Sequence, residues 1–279
     1  MGKRRTLSWT SSACSDVGSV RELNEDAYLE RPDLGLWLVA DGMGGHFAGD
    51  VASQMVVAAM QELEPPRSLG QFVDEVEKRL IETNTRLREY AEREKTHTIG
   101  STVVAMLIHR EHAVCLWAGD SRMHRYRDGR LEQISQDHAL VEELVERGVL
   151  TREQAIDHPH GNLVTRAVGA AEKLFVDVEI IDVKPGDLFI LCSDGLEKEI
   201  TDEAMTTLSP DAHTSRLSHA LLERALVHGA RDNVTVITVA IHGEAHDANG
   251  ESVDTLHANP DPAGGDEPDT APNHQQGPT

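Results

Sequence analysis

Apolar residues along this chain form two kinds of pattern, short runs and helical stripes. Runs rich in β-branched and aromatic residues predict strands, whereas apolar positions that recur at the helical period predict helices. The predicted strands are Leu7 to Ala13, Ala27 to Glu30, Leu36 to Ala40, Ser101 to Ile108, His112 to Ala118, Met123 to Tyr126, Leu131 to Ile134, Val176 to Val183, Leu188 to Cys192 and Val234 to Ile241. The predicted helices are Ala48 to Leu63, Leu69 to Glu94, His138 to Arg147, Thr151 to Asp157 and Ser215 to His228. Because strands and helices come in blocks rather than in strict alternation, we expect an α+β fold with two sheets between helical layers.

The central part of the pattern predicts a local arrangement of strands. The four consecutive strands between Ser101 and Ile134 include the tight turns Arg110-Glu111 and Asp128-Gly129. Strands joined by short turns pair with their sequence neighbours, so this stretch predicts an antiparallel meander. The two long helices that precede it should cover one face of a sheet.

Length and composition favour one folded domain with an appended tail. Of 279 residues, 39% are hydrophobic, which is enough for a sizeable core, and we place the folded domain at residues 1–242. Residues 243–279 contain eight Asp or Glu, no Lys or Arg, and repeated Pro and Gly. This composition predicts an acidic disordered tail, which is either a solubilising extension or a regulatory or docking segment.

The charge and the cysteines exclude several classes of protein. A formal net charge of −22 argues against nucleic-acid binding and favours cationic or metal partners. Cys14, Cys115 and Cys192 lie far apart and form no C-x-x-C pair, so neither a disulfide framework nor a zinc site is indicated. The chain has no apolar stretch of about 18 residues, so no membrane partner is expected. We expect a cytoplasmic monomer.

Four aspartates lie at or just beyond the ends of apolar runs. They are Asp41, Asp120, Asp194 and Asp232. A buried carboxylate is costly unless it is paired or bound to a cation. Several carboxylates at strand ends therefore predict a site for a hard metal ion that prefers oxygen ligands.

Two acidic motifs allow more than one interpretation when each is taken alone. Asp41-Gly42-Met43-Gly44-Gly45 follows a strand and precedes a helix, so it is a metal-binding loop or an ordinary turn. It lacks the Gly-Lys-Ser or Gly-Lys-Thr ending that a phosphate-cradling loop requires. Asn24-Glu25-Asp26 is either a solvated loop or a pair of acids of which one faces the site directly and the other acts through water.

Taken together, the motifs resemble those of a known family. Arg21-x-x-Asn24-Glu25-Asp26, Asp41-Gly42-Met43-Gly44-Gly45, Gly100-Ser101-Thr102, Gly119-Asp120-Ser121-Arg122, Ser193-Asp194-Gly195-Leu196 and Asp232-Asn233-Val234-Thr235 occur in this order. Over residues 6–241 the chain resembles the metal-dependent serine/threonine phosphatases of type 2C, most closely the bacterial branch. The resemblance implies a central β-sandwich of two antiparallel sheets flanked by helical layers.

The resemblance also implies a binuclear Mn²⁺ or Mg²⁺ centre and a role for each matching residue. Asp41 would bridge the two ions, and the Gly42 carbonyl would bind one of them. Asp194 and Asp232 would complete the other ion's site, and Glu25 would reach its ion through water. The remaining roles are those of Asp26, which would hold the attacking water, and Arg21, which would clamp the phosphate or form a surface ion pair.

Three features depart from the family pattern or extend it. Asp120 would bind a third ion with Asp194, but Lys198 occupies the position where some relatives carry a further acid, so the third ion is in doubt; Asp157 is a weak substitute. Met43 replaces the histidine proposed as general acid in eukaryotic members, which leaves His46 or a water on the metal. Residues 137–169 correspond to a flap beside the active site, or to a plain helical hairpin.

These observations lead to two functional hypotheses. In the first, the chain hydrolyses phosphoserine and phosphothreonine on proteins, opposes a cognate bacterial kinase by acting on its substrates, and could serve type VI secretion. In the second, it is a pseudophosphatase that binds phosphoproteins or a kinase with little turnover. Lys198 and Met43 are the residues that support the second hypothesis.

Overall fold

A computed structural model describes residues 6–44, 48–95, 99–156, 158–209 and 214–244. It confirms the predicted α+β architecture of two antiparallel sheets with helices outside them. The strands are β1 (Thr6–Asp16), β2 (Asp26–Arg31), β3 (Leu36–Gly44), β4 (Ile99–Ser101), β5 (Val103–His109), β6 (His112–Ala118), β7 (Arg122–Arg127), β8 (Arg130–Gln133), β9 (Asp177–Asp182), β10 (Leu188–Cys192) and β11 (Val234–Glu244). The helices are α1 (Ala48–Gln61), α2 (Leu69–Glu94), α3 (Leu140–Glu146), α4 (Arg152–Ile156), α5 (Asp194–Glu197), α6 (Asp202–Leu208) and α7 (Thr214–His228).

The two sheets differ in how they bring distant parts of the chain together. The first sheet has the strand order β1-β11-β10-β7-β8, and the second has the order β2-β3-β5-β6-β9 with β4 paired to β3. The first and last described strands, β1 and β11, pair along their whole length from Thr6↔Glu244 to Asp16↔Val234. This pairing places the first and last described strands next to each other in one sheet.

The alternation of side chains along β3 places one face of the strand against the helices and the other face in the core between the sheets. On β3, Leu36 and Leu38 pack towards α1 and α2, whereas Trp37 and Val39 pack into the core between the sheets. Successive side chains on a strand point to opposite faces, so a strand buried on both faces must be apolar throughout. A third apolar cluster packs α7 against the outer face of the first sheet, with Leu221 fully buried.

The helix α2 shows why the sequence pattern located some elements well. Its N-cap is Ser68, whose hydroxyl accepts the backbone N–H of Gln71, and its C-cap is Lys95 with a φ of 55°. Phe72, Val76 and Leu80 form the buried stripe. A side-chain cap and a regular stripe fix both ends of a helix, and the predicted bounds match the observed ones residue for residue.

Several details correct the predictions. The meander is wrong, because β6 belongs to the second sheet and β7 to the first. The glycine-rich segment after Asp41 is neither a loop nor a turn as far as Gly44, because β3 continues through it and pairs with β4. The short helices α5 and α6 are not among the predicted elements. The strand β11 ends at Glu244, two residues beyond the predicted end of the domain at residue 242.

The rest of the predicted tail, residues 245–279, lies outside the described residues, and its disorder stays a prediction. Of the helices in the described ranges, none combines the length and the apolar character needed to cross a membrane.

Candidate active site

Neighbouring strands of the second sheet bring two of the predicted site aspartates side by side. Asp26 is the first residue of β2 and is the register partner of Asp41 on β3. The backbone N–H of Gly42 donates to the carbonyl oxygen of Glu25 at 3.1 Å, so the strand pairing continues past the two acids. Thr102 supports Asp41 from the other side, since its hydroxyl accepts the Asp41 N–H at 3.1 Å.

Segments that adjoin strands of the first sheet contribute two more of the predicted aspartates. Asp194 begins α5 two residues after the end of β10, and Asp232 lies two residues before the start of β11. The two segments approach closely at Gly195, where a Cβ atom would lie 2.0 Å from the carbonyl oxygen of Asn233. Only glycine allows this contact, which brings the start of α5 against the start of β11.

Asp26 joins the two sheets at this site. Its Oδ2 accepts hydrogen bonds from the hydroxyl of Ser193, the N-cap of α5, at 2.7 Å and from that of Thr235 on β11 at 2.8 Å. The side chain is buried, and its Oδ1 has no hydrogen-bond partner among the described residues. Burial, together with the charges of nearby aspartates, raises the pKa of Asp26 to about 7 despite the two hydroxyls that lower it.

Burial also raises the pKa values of the neighbouring acids. Burial, followed by the charge of Asp26, raises the pKa of Asp41 well above its ordinary value. Burial also raises the pKa of Asp194, more than Lys198 lowers it, and Asp194 Oδ1 is a second buried oxygen without a partner within the described structure. Crowded carboxylates with unpaired buried oxygens fit a divalent cation, which would neutralise them and take those oxygens as ligands.

Glu25 lies at the edge of this group and is held by its backbone. Its N–H donates to Asn233 Oδ1 at 2.8 Å, and Asn233 Nδ2 donates to the carbonyl oxygens of Val17 and Leu23 at 2.9 and 3.0 Å. A Cβ at Gly49 would lie 2.4 Å from Glu25 Oε1, so α1 begins against the carboxylate. Burial raises the pKa of Glu25, and the Gly49 N–H partly offsets this.

Two basic side chains contact the acids. Arg21 pairs with Asp232, with Nε 2.9 Å from Oδ1 and Nη2 3.2 Å from Oδ2. The ammonium of Lys198 lies 2.5 Å from Asp194 Oδ2 and 3.0 Å from Asp232 Oδ2. Burial alone would raise the pKa of Asp232, but these two cations hold it below its ordinary value. Arg21 therefore forms an ion pair in this structure, and its role as a phosphate clamp stays a prediction.

Asp120 lies in the crossover between β6 and β7, where the chain passes from one sheet to the other. Gly119 has a φ of 127°, and a Cβ there would lie 2.5 Å from Thr102 Cβ, so the crossover packs tightly against Thr102. Thr102 also shares a 2.7 Å hydrogen bond with Ser121. Burial, followed by the charge of Asp194, raises the pKa of Asp120 to about 7. This residue therefore belongs to the same acidic group.

A cavity of about 420 Å³ opens beside the acids. Its lining includes the two basic side chains described above and one residue from the predicted flap, and consists of Arg21, Asn162, Lys198, Glu199, Arg231 and Asp232. A cleft with basic side chains next to a carboxylate cluster is suited to an anionic group that must lie close to bound cations.

A buried ionic network lies beside the site, and Arg122 is its one member that belongs to a motif named in the sequence analysis. Glu197 on α5 accepts hydrogen bonds from Arg122 and, at 2.5 Å, pairs with His124 Nε2. Arg122 also binds both carboxylate oxygens of Asp137, at 2.9 and 2.7 Å. The pairing of a buried histidine on β7 with an acid 73 residues later is a long-range contact that hydrophobic periodicity does not report.

The prediction for the proton donor falls partly outside the described residues. Gly45, His46 and Asp157 are not described, so the roles considered for His46 and Asp157 stay predictions. Met43 is described, on β3 opposite Gly100.

Comparison with known proteins decides the family. A family model described as protein phosphatase 2C matches residues 19–228, a range that includes every acid of the site except Asp232. The chain belongs to the protein phosphatase 2C family. It is accordingly a metal-dependent protein serine/threonine phosphatase, and Mn²⁺ or Mg²⁺ is the cofactor of the family.

Individual relatives of this phosphatase agree. The serine/threonine phosphatase stp of Listeria welshimeri is 32% identical over 234 residues, covering 81% of this chain and 93% of the relative. The solved structure of PppA, described as a key regulatory component of T6SS in Pseudomonas aeruginosa, has a TM-score of 0.79 and 39% identity, covering 85% of this chain and 99% of PppA. The catalytic domain of PstP, solved with two manganese ions, has a TM-score of 0.77 and 33% identity, covering 85% of this chain and 100% of that domain.

Proposed function

We propose that this phosphatase hydrolyses phosphoserine and phosphothreonine on proteins at a binuclear Mn²⁺ or Mg²⁺ centre formed by the acids described above. The observation that carries the proposal is the convergence of Asp26 and Asp41 from one sheet with Asp194 and Asp232 from the other. Such a cluster of crowded, partly unpaired carboxylates destabilises the folded protein unless cations bind it.

The residues that would hold the ions are those of the family pattern. Asp41 and the Gly42 carbonyl would bind on the side of the second sheet, and Asp194 and Asp232 on the side of the first sheet. Glu25, at the edge, would act through water. The bound ions would supply a water of lowered pKa and positive charge for the transferring phosphoryl group.

Asp26 is suited to positioning the attacking water. Ser193 and Thr235 fix its Oδ2, which leaves the unpartnered Oδ1 to accept a hydrogen bond from water. As the water attacks phosphorus and the bond from phosphorus to the serine or threonine oxygen breaks, Oδ1 can take up the proton that the water loses. The leaving oxygen would take its proton from a second water in the site, because the thioether of Met43 has no proton to give.

Arg21 would bind the phosphate only by rearranging. Its Nε and Nη2 both contact Asp232, and its side chain is 51% exposed at the mouth of the cavity. The guanidinium can pivot between a carboxylate and a phosphate because both accept its planar pair of donors. Phosphate binding would thus release Asp232 from one of its two cations.

The partners follow from the reaction class and the relatives. We infer that the substrates are phosphoproteins of a cognate serine/threonine kinase in the cytoplasm, and that residues 137–169 act as a flap, since Asn162 lines the cavity beside Asp232. The similarity to PppA supports a role in type VI secretion. A pseudophosphatase is the second candidate, favoured by the contact of Lys198 with Asp194 and Asp232.

Hydrolysis of a phosphothreonine peptide, with and without Mn²⁺, tests the proposal. Activity should require Mn²⁺ and be lost in the Asp41→Asn and Asp232→Asn variants while circular dichroism shows that both stay folded. Asp74→Asn, a substitution of an exposed acid on α2, is the matched control and should keep full activity. Full activity in either site variant would sink the proposal. Absent Mn²⁺ binding with intact phosphoprotein binding would support the pseudophosphatase.

A further inference from the structure

The ammonium of Lys198 occupies a place between two acids that the proposed centre needs for metal. Its Nζ lies 2.5 Å from Asp194 Oδ2 and 3.0 Å from Asp232 Oδ2. We propose that Lys198 is a built-in competitor of the divalent cation at Asp194 and Asp232, and that it sets the metal affinity of this half of the centre. The inference rests on the proposed binuclear centre and concerns how its two halves differ.

The backbone of Lys198 is fixed relative to Asp194. Lys198 caps α5, and its N–H donates to the Asp194 carbonyl oxygen at 3.0 Å, one turn away. Leu196 is fully buried, and Glu197 is anchored to Arg122 and His124. Neither the backbone nor α5 can easily move away, so Lys198 leaves the acids only by rotating its own side chain.

A protonated amine and a divalent ion cannot share these oxygens. An ammonium has three donors and no lone pair, so it satisfies carboxylates but cannot act as a ligand. Lys198 contacts only one oxygen of Asp194, and Oδ1 stays without a partner among the described residues. A divalent ion has twice the charge and would displace the ammonium when its concentration is high enough.

The other half of the centre lacks this competitor. Asp41 makes no ion pair within the described residues, and its neighbour Gly42 offers a backbone carbonyl. Metal binding there need not displace any side-chain cation. The two halves should therefore bind Mn²⁺ with unequal affinity, the weaker one at Asp194 and Asp232.

Substituting Lys198 by methionine should raise the affinity of the weaker half. Methionine keeps an unbranched apolar side chain and removes the charge, so the acids repel one another more strongly when no metal is bound. Mn²⁺ should then bind the weaker site on the order of tenfold more tightly, because an ion pair at about 3 Å is a strong competitor. The melting temperature of the chelated variant should fall, while the tighter Mn²⁺ site should change little.

The test is titration of the full chain with Mn²⁺ after chelation and dialysis, read by isothermal calorimetry and by the electron paramagnetic resonance signal of free Mn²⁺. Lys198→Met is compared with Lys198→Gln, which keeps a polar tip should methionine impair folding. The control is Lys78→Met, which removes an exposed lysine from an i,i+4 ion pair with Glu82.

The outcomes separate the inference from the proposed function. Tighter binding at the weaker site in both Lys198 variants, with no change in Lys78→Met, is the expected result. Unchanged or weaker binding in a folded Lys198 variant overturns the inference. Absence of Mn²⁺ binding in the wild-type chain overturns the binuclear centre and the inference with it.

Discussion

Replacing Asn233 by alanine should lower both the stability of the domain and its affinity for Mn²⁺, and a control variant distinguishes the two effects. Asn233 is 5% exposed, and it accepts the Glu25 N–H while donating to the carbonyl oxygens of Val17 and Leu23. Each such bond contributes about 0.5–1.5 kcal/mol net, so losing all three should cost about 2–4 kcal/mol. A domain with a stability of about 5–15 kcal/mol stays folded after this loss.

Urea denaturation of the chelated full chain, followed by circular dichroism, measures the cost. With an m value of about 3 kcal/mol/M, the midpoint should fall by about 1 M. The same substitution should weaken Mn²⁺ binding, because Asn233 holds the backbone of Glu25 and adjoins Asp232. Calorimetry on the variant gives that affinity directly.

Asn84→Ala is the matched control. Asn84 is 2% exposed and also makes three side-chain bonds, donating to the carbonyl oxygens of Ala171 and Glu172 and accepting the Gly169 N–H at 2.6 Å. It should lose a similar amount of stability with Mn²⁺ affinity intact. An Asn233→Ala protein with the wild-type urea midpoint, or equal losses of Mn²⁺ affinity in both variants, would refute the reasoning.

Three further predictions concern the acids. Asp26→Asn should lower kcat on the order of 10²–10³-fold at saturating Mn²⁺, since it removes the proton acceptor but can keep its hydroxyl partners; an unchanged steady-state kcat would contradict this role. Gly49→Ala should displace the Glu25 carboxylate and weaken Mn²⁺ binding in calorimetry, whereas Gly70→Ala, where a Cβ meets no atom within 4 Å, should not; equal affinities would count against Glu25. Burial raises the pKa values of Asp26 and Asp120 to about 7, above the ordinary value of about 3.9. The folded state therefore holds protons that the unfolded state has released, and the unfolding free energy of the chelated chain should fall as pH rises from about 4 to 7. Excess Mn²⁺ should flatten this slope, and a chelated chain that gains stability over the same range would show the sign to be wrong.

Local chemistry explains which elements the sequence pattern could predict. The strands β6 and β10 and the helix α2 match their predicted bounds because their turns, caps and apolar runs are all short-range signals. Sheet membership is a different matter. A strand such as β7 shows the same alternation of apolar and polar residues whichever sheet it joins. The alternation therefore does not indicate that β7 belongs to a different sheet from β6. The helix α5 is four residues long, too short for an apolar stripe.

The sequence predicts which acids lie together, but not the side chains that contact them. Aspartates at strand ends can be read from sequence because the end of an apolar run is a local feature. The hydroxyls of Ser193 and Thr235 reach Asp26 across 167 and 209 residues, and only the packing of the two sheets creates those bonds. In the same way, the sequence indicates that Lys198 cannot be a metal ligand but not that it bridges Asp194 and Asp232.

The net charge of the acidic group, to which Lys198 contributes, indicates how many divalent ions the group can bind. The acidic group consists of six carboxylates, those of Glu25, Asp26, Asp41, Asp120, Asp194 and Asp232, and two basic side chains contact it, Arg21 and Lys198. Full ionisation would leave an excess of four negative charges, which two divalent ions neutralise. With Lys198 in place a third ion would make the group positive. Because Lys198 caps α5, its ammonium stays near the acids even after an ion has displaced it from their oxygens, so its charge still counts against a third ion. A binuclear centre therefore suits this chain better than a trinuclear one.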